Sequence, residues 1–152
     1  MEFEIKDSVK LTKFSTGGGC GCKVSPDILK KLLDSNDVKL ISKDLIVGIA
    51  NSDDAAVYKI DNKRAIVATT DFFMPIVNDP TEFGKISATN ALSDLYAMGA
   101  KPLFALALVA MPIKKISLDI IKKIISGGES VCNNAGIPIA GGHTIESSEP
   151  IY

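Results

Sequence analysis

The sequence predicts an α+β fold, a mostly antiparallel sheet with helices packed on one face. Three observations carry this expectation. Short β-branched runs separated by turn-forming residues precede the long helical patterns, two long segments show apolar residues at helical spacing, and strand and helix signals alternate toward the end. A length of 152 residues with 46% hydrophobic residues suits one ordinary core, since a chain of this size buries roughly 70% of its unfolded surface.

Residues 1–24 are polar and glycine-rich, and the run Ser15-Thr16-Gly17-Gly18-Gly19-Cys20-Gly21-Cys22-Lys23 has too little apolar surface to fix itself by burial, so a flexible arm is expected there. The remainder, 25–152, reads as the folded domain. Ser25-Pro26 pairs an N-cap with a proline at the first helical position, and Ile28, Leu29, Leu32 and Leu33 follow at helical spacing, predicting a helix over 26–34. Apolar runs at 45–50, 55–60 and 65–70 read as strands, the last two a hairpin around Asp61-Asn62-Lys63. A helix is expected over 81–98, with Phe83, Ile86, Ala91, Leu95 and Met98 as its apolar positions and Gly99 as its stop. The continuous apolar run 103–111 predicts a strand covered on both faces. Ser117 caps a further helix carrying Leu118, Ile121, Ile124 and Ile125, and 137–140 makes a last strand that opens into a Gly141-Gly142-His143-Thr144 turn. The apolar ending at Pro150-Ile151-Tyr152 is expected of a cut through a larger protein.

Charge narrows the function classes. Lys+Arg number 17 against 18 Asp+Glu, a balance that argues against a nucleic-acid or anionic-membrane binder. Arg64 is the one arginine, so anions must be held by lysine, backbone amides or metal rather than by guanidinium forks. Three cysteines, two of them in Cys20-Gly21-Cys22, do not form a secreted disulfide framework, and the N-terminus lacks a signal-peptide layout. The longest apolar run falls far short of the roughly 20 residues of a membrane span, and a cytoplasmic location is expected.

The acidic residues sit at strand ends and on a helix: Asp53-Asp54 before one strand, Asp71 after the next, and Asp94 in the 81–98 helix. Asn90 and Asp94 are four apart and share a side of that helix with Ser87. Carboxylates converging beside a polyphosphate need hard divalent cations between them, which predicts a Mg²⁺-nucleotide site; the alternative is turn-forming and solvated aspartates. The Gly17–Lys23 loop does not have Walker spacing, but a loop carrying a thiol and a lysine can close over a phosphate and a soft nucleophile, with Lys23 neutralising developing charge. The alternative there is an arm with incidental cysteines. A zinc set of Cys20, Cys22, Cys132 and His143 is disfavoured because Cys-x-Cys is tight and Cys132 lies in a helix, where a small buried hydrophobe is the simpler reading. Gly142, His143 and Thr144 are candidates for a phosphate or ribose contact, since glycines admit close approach.

Taken together, Gly18-Gly19-Cys20-Gly21-Cys22-Lys23, Asp53-Asp54-Ala55-Ala56-Val57-Tyr58, Thr69-Thr70-Asp71-Phe72-Phe73-Met74-Pro75, Asn90-Ala91-Leu92-Ser93-Asp94-Leu95-Tyr96-Ala97-Met98-Gly99 and Ala140-Gly141-Gly142-His143 resemble the selenophosphate synthetases, also called selenide, water dikinases. The aspartate and Ala-Met-Gly segments are shared with a wider superfamily that includes aminoimidazole ribonucleotide synthetase and thiamine monophosphate kinase; Gly-Cys-Gly-Cys-Lys is the specific part. The resemblance implies that ATP, selenide and water give selenophosphate, AMP and orthophosphate, with Mg²⁺ required. It makes Cys20 the catalytic cysteine, Lys23 the essential lysine and Cys22 a lesser thiol. It makes Asp54 and Asp94 metal ligands, and gives nucleotide contacts to Lys23, Asn51, Ser52, Asp53, Asp71, Asp94 and the Gly142-His143-Thr144 turn, with Asn90 in support. Family members are about twice as long, with a second domain that completes the ATP site, so this chain corresponds to the N-terminal, ATP- and Mg²⁺-binding domain. A homodimer through paired sheets is implied. Two alternatives stand beside this: a thiamine monophosphate kinase-like enzyme with idle cysteines, and a non-catalytic dimerisation module that retains a nucleotide pocket.

Overall fold

The computed structural model describes residues 9–15, 17, 19–34, 42–48 and 53–152, with the backbone alone for Cys20, Pro26, Leu33 and Asp34. Helix α1 (Pro26–Asp34) has the bounds that the Ser25-Pro26 signal predicts. Strands β1 (Leu45–Val47), β2 (Ala56–Lys59) and β3 (Ala65–Ala68) form an antiparallel sheet, with Ala56 opposite Ala68 and Lys59 opposite Ala65. The β2–β3 connection is closed by Asp61, whose carboxylate accepts from the Lys63 backbone N–H (2.9 Å) and from Arg64 Nε (2.8 Å). The only guanidinium of the chain is thereby used in a hairpin turn.

Helix α2 (Pro80–Ala97) begins one residue before the predicted start. Asp79 caps it by accepting from Glu82 N, and Pro80 takes the first helical position, the same cap-then-proline pattern that opens α1. Strand β4 (Ala105–Met111) is followed by helix α3 (Leu118–Asn134), capped by Ser117 as expected. The two helices approach as closely as backbones allow. A Cβ on Gly84 would lie 1.8 Å from the Ile124 carbonyl oxygen, and one on Gly127 would lie 2.1 Å from that of Thr81, so only glycine fits on either side of the crossing. Phe83, Ile120, Ile121 and Ile124 from these helices join Val109 and Met111 of β4 in the main core. The buried α2 positions are Phe83, Gly84, Ser87 and Leu92, so the helix faces its partner through small residues that an apolar count overlooks.

Two expectations are corrected in the second sheet. Strand β5 (Ile139–Glu146) runs parallel to β4, with His143 beside Leu108 and Thr144 beside Val109, so Gly142-His143-Thr144 lies within a strand instead of forming a turn after one. The register shifts between Ala105 and Ala107, and Gly142 (φ 150°) passes so close to Ala107 that a Cβ would meet its carbonyl oxygen at 1.8 Å. The glycine pair marks a bulge that re-registers the strand and lets it continue. Nor is β4 covered on both faces: Val109 and Met111 are buried, whereas Leu106 and Leu108 on the other face are 61% and 37% exposed. The run is continuous because one face packs on helices while the opposite face, also apolar, lies open.

The chain end returns to the sheet. Ile151 exchanges both backbone hydrogen bonds with Ala110 (3.0 and 2.7 Å), and Tyr152 exchanges both with Phe73 (3.3 Å each). These pairings fix the extended stretch after β3 alongside the core, where it can reach α2. No described helix is long and apolar enough to cross a membrane.

Candidate active site

The site grows from a match of repeat lengths. Along an extended chain, alternate residues point the same way and are about 6.5 Å apart; along a helix, residues four apart share a side and are about 6 Å apart. Thr69 and Asp71 leave β3 as such an alternate pair, and Asn90 and Asp94 of α2 are such a helical pair. They meet in antiparallel order. Thr69 Oγ1 donates to Asp94 Oδ2 at 2.9 Å, and Asn90 Nδ2 donates to Asp71 Oδ2 through a short contact. Thr69 Oγ1 also lies 3.4 Å from the Asp54 carbonyl oxygen, which brings the turn before β2 to the same place.

Lys23 completes the arrangement from the N-terminal side. Its Nζ is 3.5 Å from Asp71 Oδ1; the carboxylate is 7% exposed, and the lysine 67%. Asp71 is thus held by a neutral amide on one oxygen and faced by an exposed cation on the other. Just before Lys23 the backbone of Gly19–Cys22 winds as a 3-10 turn, and Gly19 backs onto Ile76 and Phe73. A second 3-10 turn, Leu11–Phe14, anchors the incoming chain: Leu11 is fully buried, and Asn78 Oδ1 accepts from the backbone N–H of Thr12 (3.1 Å) and from its hydroxyl (2.7 Å). Cys20, whose backbone belongs to the Gly19–Cys22 turn, is therefore three residues from the lysine whose ammonium meets Asp71. Its side chain lies outside the described residues, as do Asn51 and Ser52. Cys22 is exposed and free.

The structure brings together Lys23, Asp71, Asn90 and Asp94 with the backbone of Asp54; the side chains of Asp53 and Asp54 are in an exposed turn beside them. Among the described residues, no hydrogen bond or ion pair joins Gly142, His143 or Thr144 to this cluster; they are exposed on β5. Nor do the described residues contain a group of three or more His, Cys, Asp or Glu side chains that could hold a metal. Cys132 packs with Leu92 and Ile137, and burial, with a smaller contribution from Glu129, pushes its thiol up, as befits a small buried hydrophobe. The oxygen donors at hand still suit Mg²⁺, which is usually bound by one or two carboxylates plus phosphate oxygens rather than by an all-protein cage. Thr69 is the member that sequence reasoning missed. Its signal was its spacing of two from Asp71, matched to the spacing of four between Asn90 and Asp94.

Comparisons with known proteins agree with this architecture. The chain is 63% identical over 144 residues to a selenide, water dikinase of Pseudomonas straminea, covering 94% of this chain and 40% of that protein. It is 59% identical to the selenide, water dikinase of Dechloromonas aromatica over 97% of this chain and 42% of that one, and 54% identical to that of a Sulfurovum species over 95% and 42%. The chain thus spans about two-fifths of the length of the curated relatives it matches. Among solved structures, AaThiL complexed with AMPPCP and TMP superposes with a TM-score of 0.61 at 21% identity, over 82% of this chain and 37% of that one. A thiamine monophosphate kinase from Aquifex aeolicus gives 0.50 at 18%, over 82% and 38%. Residues 52–152, the greater part of the sequence, match the family model described as AIR synthase related protein, N-terminal domain, and the chain belongs to that family.

Proposed function

We propose that this chain is the N-terminal, nucleotide-binding part of a selenide, water dikinase, in which ATP, selenide and water give selenophosphate, AMP and orthophosphate. One phosphoryl group of ATP goes to selenium, one to water, and the third stays in AMP. The observation that carries the reading is the Lys23–Asp71–Asn90 chain of contacts, which sets the cysteine-bearing turn beside Asp71 and the Asn90–Asp94 side of α2. The names of the relatives at 54–63% identity support the substrate.

In this reading Lys23, exposed and paired only at 3.5 Å, exchanges its carboxylate partner for a phosphate oxygen and neutralises charge during transfer. Cys20 handles selenide. Asp71 and Asn90 orient the nucleotide, with Asn51, Ser52, Asp53, Gly142, His143 and Thr144 as further contacts. Mg²⁺, when bound by Asp54 and Asp94, supplies charge neutralisation on the phosphates. The open apolar faces, among them Leu106, Tyr58 and Ile66, support a homodimer, and the free thiols suit a cytoplasmic location.

Calorimetric titration of the chain with ATP, with and without Mg²⁺ in reducing buffer, tests the nucleotide site: Mg²⁺-dependent heat is expected, and none in either condition counts against it. Cys20→Ser in the full-length protein should abolish selenide-dependent AMP formation while ATP binding persists. Unchanged AMP formation would remove the selenium assignment.

A further inference from the structure

We propose that Thr69 is a positioning residue of this site: its hydroxyl fixes the Asp94 carboxylate against the Asp53–Asp54 turn, so that one oxygen is held and the other is presented to a divalent cation. The proposal rests on the Mg²⁺-nucleotide reading above and adds a residue to it.

The two buried-side carboxylates of the cluster are held differently. Asp71 has both oxygens engaged, Oδ1 by Lys23 and Oδ2 by Asn90. Asp94 has only Oδ2 engaged, by Thr69 at 2.9 Å, and among the described residues its Oδ1 accepts no hydrogen bond. A carboxylate that is to bind a cation needs a fixed orientation and one uncommitted oxygen, and Asp94 has both. The orientation comes from a side chain suited to supplying it. Threonine is β-branched and stiff about χ1, and it sits where β3 ends, held by the strand ladder behind it. Its hydroxyl has a single proton. That proton goes chiefly to Asp94, and the longer 3.4 Å contact with the Asp54 carbonyl oxygen is the weaker arm of a three-centre bond that ties the turn to the helix. Thr70, the next residue, is exposed and points to the other side of the extended chain, so the two adjacent threonines are not interchangeable.

Groups that orient a metal ligand typically change metal affinity by about 10- to 100-fold when removed. The experiment is ATP titration of the full chain by calorimetry over a series of Mg²⁺ concentrations, on the parent protein, Thr69→Val, Thr69→Ser and Asp94→Asn. Thr69→Val keeps the shape and removes the hydroxyl; the Mg²⁺ concentration at half-maximal ATP binding should rise about 10-fold or more, with binding of ATP without Mg²⁺ unchanged. Thr69→Ser should restore the midpoint to within about threefold, because the donor is back, and should fall short of full recovery because serine lacks the β-branch. Asp94→Asn should show the same Mg²⁺ shift, and adding Thr69→Val to it should shift nothing further. If the valine variant does not fold, Thr69→Ala carries the same expectation. An unshifted midpoint in a parent that does depend on Mg²⁺ would overturn the role of Thr69 alone. An equal loss of metal-free ATP binding would make Thr69 a nucleotide contact and also overturn it, whereas a parent with no Mg²⁺ dependence overturns the metal reading and this proposal together.

Discussion

Gly84→Ala tests whether the α2–α3 crossing holds the site-bearing helix in place. On helix propensity alone the change stabilises by about 1 kcal/mol. The structure predicts the opposite sign. The new methyl would lie 1.8 Å from the Ile124 carbonyl oxygen and 3.0 Å from the Gly128 nitrogen, atoms that α-helical geometry pairs as one rung of α3. Both are backbone, so no side chain can rotate aside. Restoring ordinary contact requires the helices to part by roughly 1.5 Å, and a gap of even half that size already forfeits a quarter to a half of the dispersion energy across the contact. The contacts at stake are those of Phe83 with Ile120, Ile121 and Ile124. Overpacking of this kind costs about 1–3 kcal/mol and occasionally more, and a backbone-on-backbone clash belongs at the upper end. We expect a net loss of about 2 kcal/mol or more after the propensity gain, read as a fall in Tm of roughly 4–8 °C for a chain of this size. Asn90 and Asp94 ride on the same helix, so ATP binding should weaken in parallel. A thermal melt with Tm unchanged or raised would refute the reasoning, because it would mean that the helices are not in backbone contact.

Lys23→Ala should leave Tm within about 4 °C of the parent, since the lysine is exposed and its 3.5 Å pair with the nearly buried Asp71 is long, so that about 1 kcal/mol is at stake, while on the proposed function selenide-dependent turnover of the full-length protein falls; unaltered turnover removes Lys23 from the mechanism. Ser87→Ala should raise stability by about 1 kcal/mol in denaturant unfolding, because the Ser87 hydroxyl is buried and has no hydrogen-bond partner among the described residues, and alanine is the better helix former; a loss of stability would show that the hydroxyl is bonded. The Tyr152 phenol is pushed up from near 10 to about 12, chiefly by burial and then by Cys132 and Glu129. The folded state therefore keeps this proton longer than the unfolded chain, so the contribution is complete below pH 10 and is lost as pH rises toward 12. At pH 11 the loss should reach at most about 1.4 kcal/mol, less for any solvent access of the ring edge, and should be absent in Tyr152→Phe; equal pH slopes for the two proteins would contradict it.

Elements with a local cause were legible in the sequence. Ser25-Pro26 and Ser117 fixed helix starts because caps act within one turn, and Asp61-Asn62-Lys63 located the hairpin because turn chemistry is local. The start of α2 was equally legible in Asp79-Pro80, yet a start at Thr81 follows from attending only to the first apolar-periodic residues. The β5 glycines misled for a different reason. Glycine signals a backbone need without saying whether the need is a turn or a bulge, and the neighbouring strand that decides it lies more than 30 residues away. Of the site, the acidic residues and Asn90 were recognisable as types, and their convergence with Lys23 was expected; Thr69 was not singled out, because its role appears only when strand exit and helix are laid side by side.

The charge at that convergence constrains what can bind there. Asp71 and Asp94 face the same side of α2, Asp53 and Asp54 lie in the adjoining turn, and Lys23 is the cation that the contacts place among them. Arg64 is engaged by Asp61 in the hairpin. A polyphosphate approaching this group meets more negative charge than positive, and each unit pair about 4 Å apart near a protein surface is worth about 4 kcal/mol of repulsion. One lysine, already shared with Asp71, does not offset that. A nucleotide can settle here only if divalent cations come with it, or if a cationic group from elsewhere in the full-length protein is added. These two possibilities separate in one comparison. If cations carry the charge, ATP binding to this 152-residue chain rises steeply with Mg²⁺ from a weak metal-free level; if a remote protein group carries it, the chain binds ATP weakly whatever the Mg²⁺ concentration, and the full-length protein binds it even in chelator. Asp94, whose Oδ2 is held by Thr69 while its Oδ1 accepts no hydrogen bond among the described residues, favours the first.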